Sequence, residues 1–434
     1  MIRRVDIITM GCSKNLVDSE HLLYQLKAGG FRTYHNPKRL HGDVAVVNTC
    51  GFINDAKEES INMILYLCKA RREGKLKRLY VIGCLSERFF RELNKEIPEV
   101  DRYFGKFDWQ GVLRELHLQY DPSCADKRLI TTPSHYAYLK IAEGCDRKCA
   151  YCAIPIITGP HKSRPMENII EEVKALVLQG VKEFQVIAQE LTYYGLDLYG
   201  KRRLAELVCR ISDVPGVEWI RLHYGYPHQF PMDLIPVIKE RSNVCHYLDI
   251  ALQHSSDVVL QRMHRHTTRV YQRDLMLRLR EEIPDICLRT TFMVGFPGET
   301  DQDFEDLMNF TREIRFDRMG AFSYSEEEGT YAAAHYEDDV PQTVKQERLS
   351  RLMQLQQDIA VELCEKKVGQ TLRVIIDREE EDYFIGRTQY DSPEVDGEVL
   401  IPRQERKLQT GSFYNVKITG TEDFDLIGTT LTDK

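Results

Sequence analysis

The sequence predicts an α/β protein in three parts: an N-terminal open parallel α/β sheet, a central partial (βα)6 barrel and a small C-terminal antiparallel β-barrel. Three observations carry this reading. Apolar strand-like runs alternate with amphipathic helical stretches through the first three quarters of the chain, the pattern of parallel sheets flanked by helices. The alternation is interrupted by a more polar connection around residues 121–134 and then resumes. After Gly369 the helices give way to short strands separated by turn residues.

In the first part, residues 5–10 read as a strand, 17–28 as a helix closed by Gly29 and Gly30, and 43–47 as a second strand. Residues 57–71 read as a helix and 79–82 as a strand. In the second part six strand-like runs fall at 136–142, 184–188, 219–223, 247–252, 288–294 and 320–324. Between the first two, Ile169, Ile170, Val173, Leu176 and Val177 share one helix face before Gly180. Six units are too few for an eight-strand barrel and suit part of one. Beyond Pro341 a charged amphipathic helix carries Val344, Leu349, Leu352, Leu355, Ile359 and Leu363. Strands then follow at 372–376, 383–388, 398–401, 414–418 and 426–430, with Asp396-Gly397 and Thr410-Gly411 among the turns. The expected division is 1–130, 131–340, a linker helix at 341–369, and 370–434.

A length of 434 residues agrees with about three domains at ~150 residues each. No apolar run approaches the ~20 residues of a membrane span, so no membrane partner is expected. Arg3 and Arg4 precede an apolar stretch that Asp6 interrupts and that is too short for an export signal. A cytoplasmic location is therefore expected, where twelve cysteines bind metal, do chemistry or pack as small apolar groups. A net charge of -8 gives no general attraction to polyanions.

The sharpest chemical signal is Cys145-Asp-Arg-Lys-Cys149-Ala-Tyr-Cys152, just after the first strand of the middle part. Three thiolates this close can hold three corners of a 4Fe-4S cubane and leave the fourth iron open to substrate. Structural zinc would need four ligands and usually a second Cys-x-x-Cys pair, which the sequence lacks. Three buried packing cysteines are the remaining reading, one that does not explain the polar Asp-Arg-Lys loop. Cys12, Cys50 and Cys84 each directly follow an expected strand, beside Gly11, Gly51 and Gly83. The carboxyl ends of parallel strands lie along one edge, so these three thiols can converge there on a second cluster. The other reading is small buried thiols at strand ends, and the flanking glycines, which let backbone approach a bulky group, favour the cluster. Cys68, Cys124, Cys209, Cys245, Cys287 and Cys364 share no spacing and read as structural. His264-Arg265-His266 reads as a charged helix end, since residues two apart on a helix point in different directions.

The Cys-x3-Cys-x-aromatic-Cys loop resembles the signature of the radical S-adenosylmethionine (SAM) family, whose fold is a partial (βα)6 barrel. That resemblance implies SAM bound at the open iron of the Cys145, Cys149, Cys152 cluster and cleaved there by one electron. It places Tyr151 against the adenine, although a core aromatic is an equal reading. It places Gln189 and Glu190 at the amino-acid end of SAM, although they can also be a solvated turn. An electron donor such as flavodoxin or ferredoxin is implied as a partner.

Taken with the three N-terminal cysteines and the C-terminal strands, the whole chain resembles the methylthiotransferases, and its last part resembles their TRAM domain. The family implies two 4Fe-4S clusters, the one at Cys12, Cys50 and Cys84 carrying the sulfur to be methylated and transferred. The run from Val294 to Thr300, Val-Gly-Phe-Pro-Gly-Glu-Thr, is similar to a family segment. The branch that modifies an aspartate of the small-subunit ribosomal protein S-twelve is the one that Gly11-Cys12-Ser13-Lys14-Asn15-Leu16-Val17-Asp18-Ser19-Glu20 resembles. Tyr324-Ser325-Glu326-Glu327-Glu328-Gly329-Thr330 resembles that branch too, with Glu326 where proline is usual. The alternatives are a tRNA adenosine methylthiotransferase and a non-enzymatic metal-binding RNA module.

Charge bears on that choice. From Thr371 to Lys434, eight basic residues, among them Arg378, Arg387, Arg403, Arg406 and Lys434, stand against fourteen acidic ones, a balance of -6. A domain that grips phosphates needs the opposite sign, so RNA binding is not expected. The run Asp377, Glu379, Glu380, Glu381 and Asp382, expected in the turn between the first two strands, suits a basic protein partner.

Overall fold

β-Branched residues dominate the strand Val44–Thr49, and all six of its side chains are buried. That is the signature of a strand covered on both faces, as in a helix-flanked parallel sheet. In the computed structural model, which describes residues 4–124, 126–403 and 407–431, it is the centre of the first of three main sheets. Arg3, Arg406 and Lys434 lie outside the described residues.

The first sheet contains β1 (Arg4–Thr9), β2 (Arg32–His35), β3 (Val44–Thr49), β4 (Arg78–Gly83) and β5 (Arg102–Tyr103), in the order β2-β1-β3-β4-β5. All its pairings are parallel. β2 and β5 escaped the sequence reading because they are short and polar at alternate positions. The register pairs Thr9 with Asn48 and Thr49 with Gly83, so β1, β3 and β4 end level. The helix expected from residue 17 begins earlier, at Ser13 directly after Cys12.

β6 (Tyr136–Lys140) opens the second sheet. A short antiparallel pair, β7 (Ala142–Glu143) and β8 (Lys162–Ser163), then clamps the base of the cysteine loop. β9 (Glu183–Ile187), β10 (Trp219–Gly225), β11 (Val244–Ile250), β12 (Cys287–Val294) and β13 (Arg318–Ser323) add one after another in chain order, every pairing parallel. This is the expected six-unit partial barrel. The helix Met166–Leu178 buries Met166, Ile169, Val173 and Leu176 against it, while Ile170 and Val177 sit at the margin. Each fully buried side chain of this kind contributes about 1.5–3 kcal/mol. The run expected at 247–252 starts and stops earlier, because the chain leaves the sheet after Ile250 and reaches a left-handed residue at Gln253, φ 71°.

The long helix Gln342–Glu365 leads to a closed barrel of β14 (Thr371–Glu379), β15 (Tyr383–Thr388), β16 (Val399–Pro402), β17 (Phe413–Glu422) and β18 (Asp425–Thr430). The small barrel is as expected, with four antiparallel pairings, and β16 and β18 close it in parallel. Five strands closed into a ring cannot alternate direction throughout, so one parallel seam is obligatory. The acidic run is not confined to a turn: Asp377 and Glu379 belong to β14. Asp377 turns inward to Arg387 Nε, 2.6 Å, and to His135 Nε2, 2.7 Å.

Charged seams join the three parts. Arg128, 2 % exposed, pairs with Glu20 at 3.0 Å and with Glu172 at 2.8 Å. Glu183 of β9, fully buried, pairs with Arg387 of β15 at 2.7 Å and with Arg221 of β10 at 3.1 Å. Among the described residues no helix is long and apolar enough to cross a membrane.

Candidate active site

Cys12, Cys50 and Cys84 stand where β1, β3 and β4 release the chain, and Cys145, Cys149 and Cys152 lie on the loop between β7 and β8. All six line one cavity of about 330 Å³. The two sets, more than sixty residues apart at their nearest, thus face a common space.

Close backbone contacts build the N-terminal wall. A Cβ on Gly11, whose φ is +85°, would stand 2.8 Å from Cys50 Sγ. One on Gly51 would stand 2.7 Å from the backbone of Leu85. Only glycine lets these cysteine turns approach so closely. Asn15 fastens them, its Nδ2 donating to the carbonyls of Met10 at 3.1 Å and Thr49 at 3.0 Å. Its Oδ1 lies 3.6 Å from Cys84 Sγ. The second loop is pinned by Cys145 N–H to the Gly159 carbonyl, 3.2 Å, and by Ala150 N–H to the Met263 carbonyl, 3.0 Å.

Burial pushes the free thiols of Cys84 and Cys145 up to about 12, and raises Cys50 and Cys152 as well. Such thiols become anionic when a cation takes the place of the proton. Among the described residues no three His, Cys, Asp or Glu side chains converge at single-ion spacing. Zinc draws its thiolates in to about 2.3 Å. A cluster brings its own bridging atoms and spans more widely set thiols around a cavity of this kind.

The other expected residues are also here. Tyr151 lines the cavity and packs edge-on against Phe296, ring centroids 6.3 Å apart, so it is both core and wall. Gln189 and Glu190 line it too. Glu190 is buried, so its carboxyl is raised by desolvation despite Arg147 and its bonds to Thr192. It is no solvated turn. Gln189 donates to Glu143. Gln189 Oε1, Gln253 Oε1 and Arg265 Nε are buried without a hydrogen-bond partner among the described residues, Arg147 Nε and Glu190 Oε2 face each other as an ion pair at 3.4 Å, and all five side chains line the cavity. Buried polar atoms of this kind normally find a partner. Their mixture of donors and acceptors fits a zwitterionic ligand such as the amino-acid end of SAM.

Several lining residues were not foreseen. His264-Arg265-His266 is the expected helix end: the helix runs to Arg262, His264 N–H and Arg265 N–H bond back to the Gln261 and Leu260 carbonyls at 3.0 and 2.9 Å, and both histidines have left-handed backbones, φ 57° and 52°. Arg265 between them is 3 % exposed, with its Nη1 3.6 Å from Cys149 Sγ and its guanidinium 3.9 Å from the Tyr226 ring centre. Arg147 is 3.9 Å from the same ring. Lys106 is buried and binds Glu143 at 2.9 Å and Asp18 at 3.5 Å. Burial opposes both charges, yet the acids hold Lys106 above its ordinary value, while Lys140 and Lys106 hold Glu143 below its own. Only the placement of Arg147 within the cysteine motif offered a sequence signal.

A six-strand parallel sheet with a three-cysteine loop beside it and a cavity at that loop defines the radical SAM class, and residues 139–311 match the Radical SAM superfamily. Residues 4–105 match the uncharacterized protein family UPF0004, and residues 368–431 the TRAM domain. Curated proteins called ribosomal protein uS12 methylthiotransferase RimO are similar throughout. The one from Phocaeicola vulgatus is 61% identical over 98% of this chain and 99% of its own length. That of Bacteroides fragilis is 60% identical over 98% and 99%, and that of Porphyromonas gingivalis 58% over 98% and 98%. The chain belongs to the RimO family of radical SAM methylthiotransferases. Among solved structures, the radical SAM methyltransferase TsrM from Kitasatospora setae, with cobalamin and a [4Fe-4S] cluster bound, shares the fold with a TM-score of 0.53. It is 13% identical over 74% of this chain and 75% of that one. The cobalamin-dependent radical enzyme OxsB aligns with a TM-score of 0.52, 12% identity, 82% and 56% coverage.

Proposed function

We propose that this enzyme inserts a methylthio group at the β-carbon of an aspartate in ribosomal protein uS12. The observation that carries the proposal is the pair of cysteine triplets facing one cavity. A transfer of sulfur to carbon needs both sites to reach the same atom, and a shared chamber provides that. The names of the full-length relatives support uS12 as the substrate and the ribosomal-protein branch over the tRNA one.

In this reading Cys145, Cys149 and Cys152 hold one 4Fe-4S cluster and Cys12, Cys50 and Cys84 a second. When bound, the clusters and SAM supply the one-electron chemistry and the methylated sulfur. Such chemistry is required because no general base removes a proton from an unactivated β-carbon beside a carboxylate at neutral pH. The chain's own residues position and shield. Gln189 offers an unpaired amide oxygen and the Arg147–Glu190 ion pair two charges to the amino-acid end of SAM, and Tyr151 a ring face to its adenine. Lys106 and Glu143 tie Asp18 of the N-terminal helix to β7, which holds the two walls together. Phe52 and Ile154 keep the lining partly apolar and help exclude water.

The chain is read as four units, 1–130, 131–340, 341–369 and 370–434, in a cytoplasmic protein that receives electrons from a flavodoxin or ferredoxin. The acidic last unit docks a basic protein rather than RNA. Mass spectrometry of ribosomal proteins from cells with and without the gene tests the function. One methylthio group on uS12, lost with the gene, is expected. An unchanged uS12 with methylthio lost from tRNA adenosine would replace this reading with the tRNA alternative.

A further inference from the structure

Four cations line the cavity: Lys14, Lys106, Arg147 and Arg265. Three are engaged by the chain itself. Lys106 has Glu143 and Asp18, Arg147 lies 3.4 Å from Glu190, and Arg265 reaches Cys149 and the Ala251 carbonyl. Lys14 differs. The residue is 8 % exposed, it lines the cavity, and its ammonium makes no hydrogen bond or ion pair among the described residues. It rests 3.0 Å from the centre of the Tyr224 ring. Asp249 feels its charge but is held by Arg289 at 3.5 Å and by the Tyr224 backbone N–H at 3.2 Å.

The surroundings hold this ammonium in place. Lys14 is in the first turn of the helix that begins after Cys12, and that turn is tied down by Asn15 and by Asn48 Nδ2 on the Asn15 carbonyl, 2.9 Å. The first turn holds no acidic residue. Tyr224, the ring beneath it, has a left-handed backbone, φ 63°, a conformation that bulky residues adopt at a cost and mainly at functional sites. An ammonium that faces the cavity with an aromatic ring beside it, and with the nearby Asp249 engaged by Arg289, is free to meet an entering anion.

We infer that Lys14 binds the carboxylate of the target aspartate and is a specificity-determining residue for the acid over its amide. This rests on the proposed reaction. The reacting β-carbon of aspartate is bonded directly to its carboxylate carbon, so an ammonium that grips the carboxylate also fixes the carbon between the two cysteine triplets. Asparagine has the same shape but no charge to meet the ammonium.

The test uses the full chain reconstituted with iron and sulfide, and uS12 with either aspartate or asparagine at the target position. Binding is titrated for both forms, and kcat and KM are measured for each. The parent should prefer the aspartate form. Lys14→Gln should lower affinity and kcat/KM for that form by about 10- to 100-fold, the range of a charge-assisted hydrogen bond, and so erase the preference. Lys14→Arg should keep most of it. The inference fails if Lys14→Gln keeps the parent's preference, if it weakens both forms equally, or if it weakens only SAM binding. A parent that neither binds nor modifies either form would overturn the proposed function itself, and this inference with it.

Discussion

Arg88 places its Nη1 2.7 Å from Glu327 Oε2 and 3.1 Å from the Gly51 carbonyl, so one guanidinium joins the Cys50 turn to the segment after β13. Arg88 itself ends the short helix that Cys84 begins. Lys57 reaches the same Glu327 oxygen at 2.9 Å, and Asn54 bonds Ser325 at 2.6 Å. The two halves of the cavity are therefore held in register by a nearly buried ion cluster.

Glu327→Gln leaves Arg88 and Lys57 without their acid. Breaking a buried pair costs about 3–5 kcal/mol, and partial exposure of Lys57 puts the expected loss near the lower figure. Chemical denaturation should show it. Hydrogen exchange should quicken first in Val44–Thr49 and Arg78–Gly83, the strands behind the cysteines. Unchanged stability and exchange would show that the cluster does not hold the halves together.

The seam between the second sheet and the C-terminal barrel should be acid-labile. Burial opposes the charges of Glu183 and Asp377, but Arg387 in both cases holds them below the ordinary carboxylate values of 4.5 and 3.8. Groups with depressed values stabilise the fold above their ordinary values, and the contribution is lost as pH falls through the lowered ones. Melting temperature should be insensitive to these groups above about pH 5 and drop steeply below about pH 4. Glu183→Gln should lower stability at neutral pH by about 3 kcal/mol and flatten the acid limb. An acid limb as steep as the parent's would assign the lability elsewhere.

Two clusters predict about eight irons per chain after anaerobic reconstitution. Replacing Cys12, Cys50 and Cys84 with alanine should halve that content and leave an electron paramagnetic signal that shifts on adding SAM. Replacing Cys145, Cys149 and Cys152 should remove the SAM-sensitive signal. Full iron in the first variant would dismiss the N-terminal cluster.

The acidic barrel face predicts salt-sensitive docking of uS12, screened over about 8 Å at physiological strength. Glu379 is paired with Arg403, and Glu380 lies 2.7 Å from Arg378, so Glu381 and Asp382 are the acids left open on this edge. Changing Glu379, Glu380 and Glu381 to lysine should raise the apparent KM for uS12 several-fold at low salt, an on-rate effect that fades as salt is added. Equal KM for variant and parent at low salt would place docking elsewhere.

Much of this was legible in the sequence because the signals are local. The β-branched runs that became β3 and β12, and the spacing of Cys145, Cys149 and Cys152, each lie within about ten residues. Cys12, Cys50 and Cys84 were legible by a shared context, a strand end beside glycine. Arg265 and Lys106 were not, because their positions depend on chain reversals and on partners far away in sequence. The parallel seam of β16 and β18 follows from ring closure, which no single strand announces. Likewise the pairing of Asp377 with Arg387 turned one member of an acidic run into an inward-facing, partly buried anchor.

The cavity described above also limits what can be presented to it. At about 330 Å³ and lined by both cysteine triplets, it has room for small molecules and a side chain, not for a folded domain. A target residue that projects from its own fold meets such a cavity more readily than one held within a helix or sheet.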